Sequence, residues 1–281
     1  MVRITADSTC DLSPDIKKKF GITITPIHVI MGEKDYSDGI DIEPKLIFET
    51  CSGKSKVVCK SSACNPSYYS DVFKRITDTG CEVVHIGLSS LISSSYKNAC
   101  QAAEEIKGVY VVDSKNLSTG SGHLVYMAAE LAEKGVSAKE IYDTVNSFIS
   151  RVNASFVIDT LEYLKKGGRC SALMALGANL LSLKPCIEVK NGEMGVSKKY
   201  RGKINKCLEE YVSDRLSDIN AIDPGRIFVT HTMENHQDVE AVIKQIKKYN
   251  YFKEIIPTDA GSVISCHCGP NTLGILYIMK E

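Results

Sequence analysis

Five serines fall within the stretch "IGLSSLISSSY", Ile86 to Tyr96: Ser89, Ser90, Ser93, Ser94 and Ser95. Hydroxyls donate hydrogen bonds without adding charge, so such a cluster at a strand-to-helix joint suits an anionic group held by neutral donors and helix-end N–H groups. Capping explains any one of them, as it does Ser13 and Ser137, but one helix needs only one cap, so capping does not explain Ser93, Ser94 and Ser95 together. Hydroxyls recur in "ADSTC", "KSSACNP" and "VDSKNLSTGSG".

Two further segments carry groups that could do chemistry. "YLKKGGRCS" sets Arg169 after Gly167 and Gly168, where a sharp turn could aim a guanidinium at a carboxylate or phosphate; a surface arginine in a helix-ending loop fits the local sequence equally well. "SVISCHCGPN" sets His267 between Cys266 and Cys268 at the end of an apolar run. Taken as a strand, that run points adjacent side chains to opposite faces, which argues against zinc, and a structural histidine is the commoner fate. His28, His85, His123, His231 and His236 stand in strand or helix contexts that suggest no catalytic pairing.

Familiar catalytic frames are missing. No G-x-x-x-x-G-K-[ST] occurs, no G-x-G-x-x-G leads from a strand into a helix, and "GLSSL" is not the G-x-S-x-G of hydrolases.

The elements that must position these residues alternate. "VRITADST" reads as a strand, "LSPDIKKKFG" as a capped helix, "ITITPIHVIM" as a second strand and "EPKLIFETC" as a short helix. "NPSYYSDVFKRITDTG", "SSYKNACQAAEEIKG", "GSGHLVYMAAELAEKG" and "SAKEIYDTVNSFISRV" read as helices around the strands "CEVVHIGLS" and "VYVVDS". Such alternation implies a parallel sheet covered on both faces, with ligands outside the carboxyl ends of its strands. From Ser155 the pattern shifts to a mixed sheet, with a hairpin at Asn191-Gly192 and helices near 204–220 and 237–248. The expected fold is α/β in two domains, a parallel-sheet domain over 1–153 and a mixed-sheet domain over 154–281, with the ligand between them.

Bulk composition narrows the partners. The 34 basic and 34 acidic side chains balance, so no global field draws in nucleic acid or anionic lipid. No apolar run approaches a membrane span and "MVRITADST" lacks the apolar core of a signal peptide, so a cytoplasmic protein without stable membrane insertion is expected. The 11 cysteines are scattered through apolar or helical patterns, which suits reduced thiols better than disulfides.

Taken together, Asp7-Ser8-Thr9, "KSS" at 60–62, "SSLISSSY", Asp113-Ser114, "LKKGGR", Lys184-Pro185 and "HCGP" resemble the motif set of the DegV family of bacterial lipid-binding proteins, over nearly the whole chain. The resemblance implies a two-domain fold that buries one long-chain fatty acid, and a carrier that presents it to a separate ATP-using fatty acid kinase for acyl-phosphate formation. By the matched positions, Ser61 and Ser93 would hold the carboxyl group, with Ser62 and Ser95 nearby, His267 completing the network and Arg169 at the mouth, available to the acyl phosphate or the kinase. No metal or cofactor is implied.

Two positions depart from the family pattern: its K-T-S is Lys60-Ser61-Ser62, which keeps a hydroxyl, and its S-G-T-Y is Ser93-Ser94-Ser95-Tyr96, which adds a side chain at Ser94. "LMALGANLLSL", Leu173 to Leu183, could line the acyl tunnel. A competing reading is a self-sufficient acyl or phosphoryl transferase with Ser93 as nucleophile and His267 as base. A third, ranked last, is a thiol or metal protein built on Cys64, Cys266 and Cys268.

Overall fold

The computed structural model describes residues 1–51, 57–168 and 183–281. The chain opens with β1 (Val2–Asp7), α1 (Pro14–Phe20) and β2 (Thr23–Thr25), and continues through β3 (His28–Met31), β4 (Lys34–Ser37), α2 (Pro44–Cys51) and β5 (Cys59–Ser62). Next come α3 (Pro66–Thr77), β6 (Glu82–Gly87), α4 (Ser95–Ala103), β7 (Val109–Asp113), α5 (Ser118–Glu133) and α6 (Ala138–Phe148). The second half holds β8 (Val152–Val157), α7 (Glu162–Gly167), β9 (Leu183–Lys190), β10 (Glu193–Arg201), α8 (Ile204–Arg215), β11 (Ile222–His231), α9 (His236–Lys247), β12 (Glu254–Asp259), α10 (Ser262–Cys268) and β13 (Leu273–Met279).

The first sheet is wholly parallel, in the order β2-β1-β6-β7. The second is mixed: it runs β10-β9-β8-β13-β11-β12, with β11 and β12 parallel and the other neighbours antiparallel. Local chemistry sets many boundaries as the sequence suggests. Ser13 caps α1 ahead of Pro14, Asn65 caps α3 ahead of Pro66, and Ser137 forms a reciprocal capping box with Glu140 at α6. Asn191 and Gly192 both have positive φ (52° and 93°), the combination that a tight hairpin between β9 and β10 requires.

A third, antiparallel sheet, β4-β3-β5, is not foreseen by the sequence reading. The expected single strand "ITITPIHVIM" is broken at Pro26, which has no N–H to continue a ladder: β2 stays beside β1, and β3 pairs with β4 and β5 instead. The segment around His267 also differs from expectation. Residues 262–268 form α10, not a strand, because the apolar run is interrupted by Ser265 at helical spacing and two buried carboxylates hold its first amides: Gly261 N–H donates to Asp11 and Ser262 N–H to Asp38.

The two large sheets are joined through α5. Its first turns are almost wholly buried, and it packs against β1 and β6 on one side and β8, β11 and β13 on the other. One apolar core therefore runs from Ile4 and Val84 of the first sheet through Leu124 and Val125 to Ala154, Ile187 and Leu276 of the second. A separate core beneath α8 and α9 supports the outer face of the second sheet.

Candidate functional site

In the parallel sheet the strand order turns at β1 and β6, where crossover connections leave in opposite directions and open a crevice at the strands' carboxyl ends. β1 ends there at Asp7, 1% exposed. The Tyr69 hydroxyl donates to Asp7 Oδ1 at 2.7 Å, the Ser95 hydroxyl to Oδ2 at 2.5 Å and the Leu88 N–H to Oδ2 at 2.8 Å, while His85 Nε2 lies 3.6 Å from Oδ1. Burial by itself would raise this carboxyl group's pKa; the imidazole of His85 and the bonds from Ser95 and Leu88 outweigh it and hold the pKa below the usual carboxylate value. Asp7 is thus a buried anion that fixes where β6 ends and α4 begins.

The serines after β6 divide their work. Ser89 donates to Gly192 O at 2.8 Å, tying the loop to the β9–β10 hairpin. Ser93 Oγ accepts the Ser95 N–H at 3.1 Å, a serine turn that leads into α4, while Ser94 at the N-cap position makes no side-chain cap bond. Ser95, fully buried, gives its hydroxyl to Asp7.

Ser93 and Ser94 face a cavity of about 200 Å³. From across it come Ser61 and Ser62 at the end of β5, and His267 from the last turn of α10. Ser61 Oγ and His267 Nε2 stand 2.7 Å apart. That bond fixes the hydroxyl and the imidazole against one another at the cavity wall. Ile27, Leu88, Leu117, Leu164 and Val263 supply apolar walls. The arrangement offers hydroxyl donors and an imidazole at one end of an apolar space, which suits a carboxylate on a hydrocarbon chain.

Four of the expected residues, Ser61, Ser62, Ser93 and His267, therefore meet at one cavity. Ser95 stands behind the wall as a support, and Arg169 lies outside the described residues, as do residues 173–182 of the expected tunnel segment. The paired glycines of "LKKGGR" have separate tasks. Gly168 closes α7 with φ at 66°, and Gly167 abuts the His267 ring: a methyl group at Gly167 would sit 2.2 Å from Nδ1.

Sequence reading missed Asp7 and Tyr69 as the frame of the site, and Asp11 and Asp38 as the anchors of α10. The "ADST" joint gives a signal for Asp7; Tyr69 leaves none, since its partners are 62 and 26 residues away. Burial pushes Asp11 up to about 7 and raises Asp38, against the Ser118 and Ser8 hydroxyls and the α10 amides that favour their charged forms. Among the described residues no group of three or more His, Cys, Asp or Glu could hold a metal ion, and Cys64 donates its thiol to Pro26 O at 2.7 Å.

Comparisons with known proteins agree in one direction. A family model described as an uncharacterised protein of the DegV family matches residues 1–280. A DegV domain-containing protein of Clostridium acetobutylicum is 32% identical over 283 residues, covering 99% of each chain, and one from Caldanaerobacter subterraneus is 30% identical over 284 residues, with 99% of each covered. Among solved structures, a DegV family protein from Thermus thermophilus, described for its fatty acid binding, superposes with a TM-score of 0.91 at 26% identity over 99% of both chains. A stearic acid-binding protein from Eubacterium ventriosum superposes with a TM-score of 0.85 at 25% identity, covering 100% of this chain and 99% of that one.

Proposed function

This chain belongs to the DegV family, and we propose that it binds one long-chain fatty acid, with the carboxyl group at Ser61, Ser93 and His267, and presents it to a separate ATP-dependent kinase that makes the acyl phosphate. The observation that carries this reading is the convergence of those three residues on one apolar-walled cavity. Ser62 borders the head group, and Ser95 acts on it through Ser93 and the start of α4. Residues 1–153 supply the head-group hydroxyls and the wall residues Ile27, Leu88 and Leu117; residues 154–281 supply His267 and the wall residues Leu164 and Val263.

Affinity comes from the tail. Each buried methylene contributes about 0.8 kcal/mol, so burying about ten gives a gross gain near 8 kcal/mol before the costs of association. The head group is held by neutral donors, which leaves its charge uncompensated and the carboxylate oxygen available as a nucleophile toward ATP on the kinase. By the family motif, Arg169 serves the acyl phosphate or the kinase at the mouth. Both partners work in the cytoplasm on this reading; no helix among the described residues is long and apolar enough to cross a membrane.

A transferase pairing Ser93 with His267 has less support, because His267 bonds Ser61 and Ser93 bonds the Ser95 N–H. The test is acyl phosphate formation from ATP and oleic acid, trapped as the hydroxamate, with and without a fatty acid kinase subunit. Product only from the mixture is expected. Product from this chain alone would overturn the carrier reading.

A further inference from the structure

The head-group cavity does not end at its apolar wall. Leu117, Ile264 and Cys268 line it on one side and, on the other, line a much narrower void of about 20 Å³ bounded by Phe156 of β8 and Leu276 of β13. His231, Thr232 and Ala260 close the far side of that void, and the same three residues border an open surface groove of about 860 Å³ at the carboxyl ends of β11 and β12. Three spaces are thus strung in sequence past α10, each sharing three lining residues with the next.

The narrow stretch is apolar in effect despite its hydroxyl residues, because their polar atoms are engaged with protein. Thr230 bonds Thr119 and Thr258, Thr272 donates to Cys268 O, Thr232 donates to Gly269 O, and Ser118 donates to Asp11. A methylene chain passing them meets methyl groups and satisfied oxygens. The far end is different: Lys45, Glu234, His236 and Asp259 stand around the groove, in water.

We propose that the acyl tunnel has this groove as a second mouth. The distal end of a long chain passes between Ile264 and Leu276 and emerges beside Thr232 and Ala260, so the protein accepts chains too long for a closed pocket and long chains with a polar group at the distal carbon. This inference rests on the fatty acid reading of the cavity. A blind tunnel would reject a second carboxylate at any chain length, since a buried unpaired charge is strongly unfavourable; a tunnel with two mouths rejects it only until the chain is long enough to reach water.

The test compares binding of saturated monocarboxylic acids and α,ω-dicarboxylic acids from about 14 to about 22 carbons by displacement of a fluorescent fatty acid. The expected result is a penalty for the second carboxylate of more than about 100-fold at the short end, falling below about tenfold at the long end. Ala260→Phe, which narrows the second mouth, restores the penalty for long diacids and leaves the shortest monoacids bound as before; Ala260→Leu does the same should the larger ring prevent folding. A penalty of the same size at every length in the wild-type protein overturns the second mouth while leaving fatty acid binding intact. Failure of the monoacids to bind overturns both readings.

Discussion

His267 Nε2 and the Ser61 hydroxyl lie 2.7 Å apart although the two residues are 206 positions apart in the chain. The bond joins α10 to the end of β5, and neither element belongs to the parallel sheet whose crevice carries Ser93. The cavity is therefore assembled from three layers of the fold, and each layer makes its own demand on the sequence.

The demand on the serine loop separates Ser93 from Ser95. Ser93→Ala removes a cavity hydroxyl and the turn bond to the Ser95 N–H, so fatty acid retention should fall by about 1 to 3 kcal/mol. Ser95→Ala removes a donor from buried Asp7 and should appear first as a loss of thermal stability. Titration calorimetry and melting curves of the two variants check this; wild-type retention by Ser93→Ala would remove that residue from the head-group site.

Gly167→Ala tests how closely α7 must approach α10. Alanine favours a helix, but its methyl group would stand 2.2 Å from His267 Nδ1, so the imidazole must move away from Ser61. Fatty acid affinity should drop about tenfold or more while helical content is unchanged. A variant that binds as tightly as wild type would show that the imidazole position is not part of the site.

Asp11 should make the protein less stable as pH rises. Its folded-state pKa, about 7, exceeds the ordinary 3.8, so the folded state holds the proton more firmly; this stabilisation is complete below the ordinary value and lost as pH climbs through about 7. The full effect is of the order of 4 kcal/mol, and Asp38, raised in the same sense, adds to it. Asp11→Asn should flatten the denaturant midpoint across this range. An unchanged pH profile in that variant would place the titration elsewhere.

Asp7 has the opposite sign. Its pKa is held below the ordinary carboxylate value, so its contribution is complete above about 3.8 and is lost as pH falls through the folded-state value. Asp7→Asn sets an amide among donors arranged for an anion and should cost about 3 to 5 kcal/mol, measured by urea unfolding at neutral pH. A cost below about 1 kcal/mol would show that the hydroxyls do not need the charge.

Much of this was legible in the chain because it is local. The cap at Ser13, the hairpin at Asn191-Gly192 and the hydroxyls after β6 all follow from residues within a few positions of one another. What was hidden is set by distant contacts. The use of Ser95 depends on Asp7, 88 residues away, and α10 is anchored by Asp11 and Asp38 from the far end of the chain. The break at Pro26 was visible as a proline, yet the third sheet it creates depends on β5, which no nearby pattern announces. Gly167 looked like turn chemistry, and its reason is the ring of a histidine 100 residues later.

The central claim is that this cavity holds one fatty acid, and mass spectrometry of the purified protein, native and then after organic extraction, tests it most directly. A native mass excess equal to a single fatty acid, recovered in the extract and lost or diminished in Ser93→Ala, is the predicted result. No bound lipid as purified, and none after incubation with mixed long-chain fatty acids, would contradict it and leave a DegV fold with a different ligand, with Ser94 as the first position to revert to glycine.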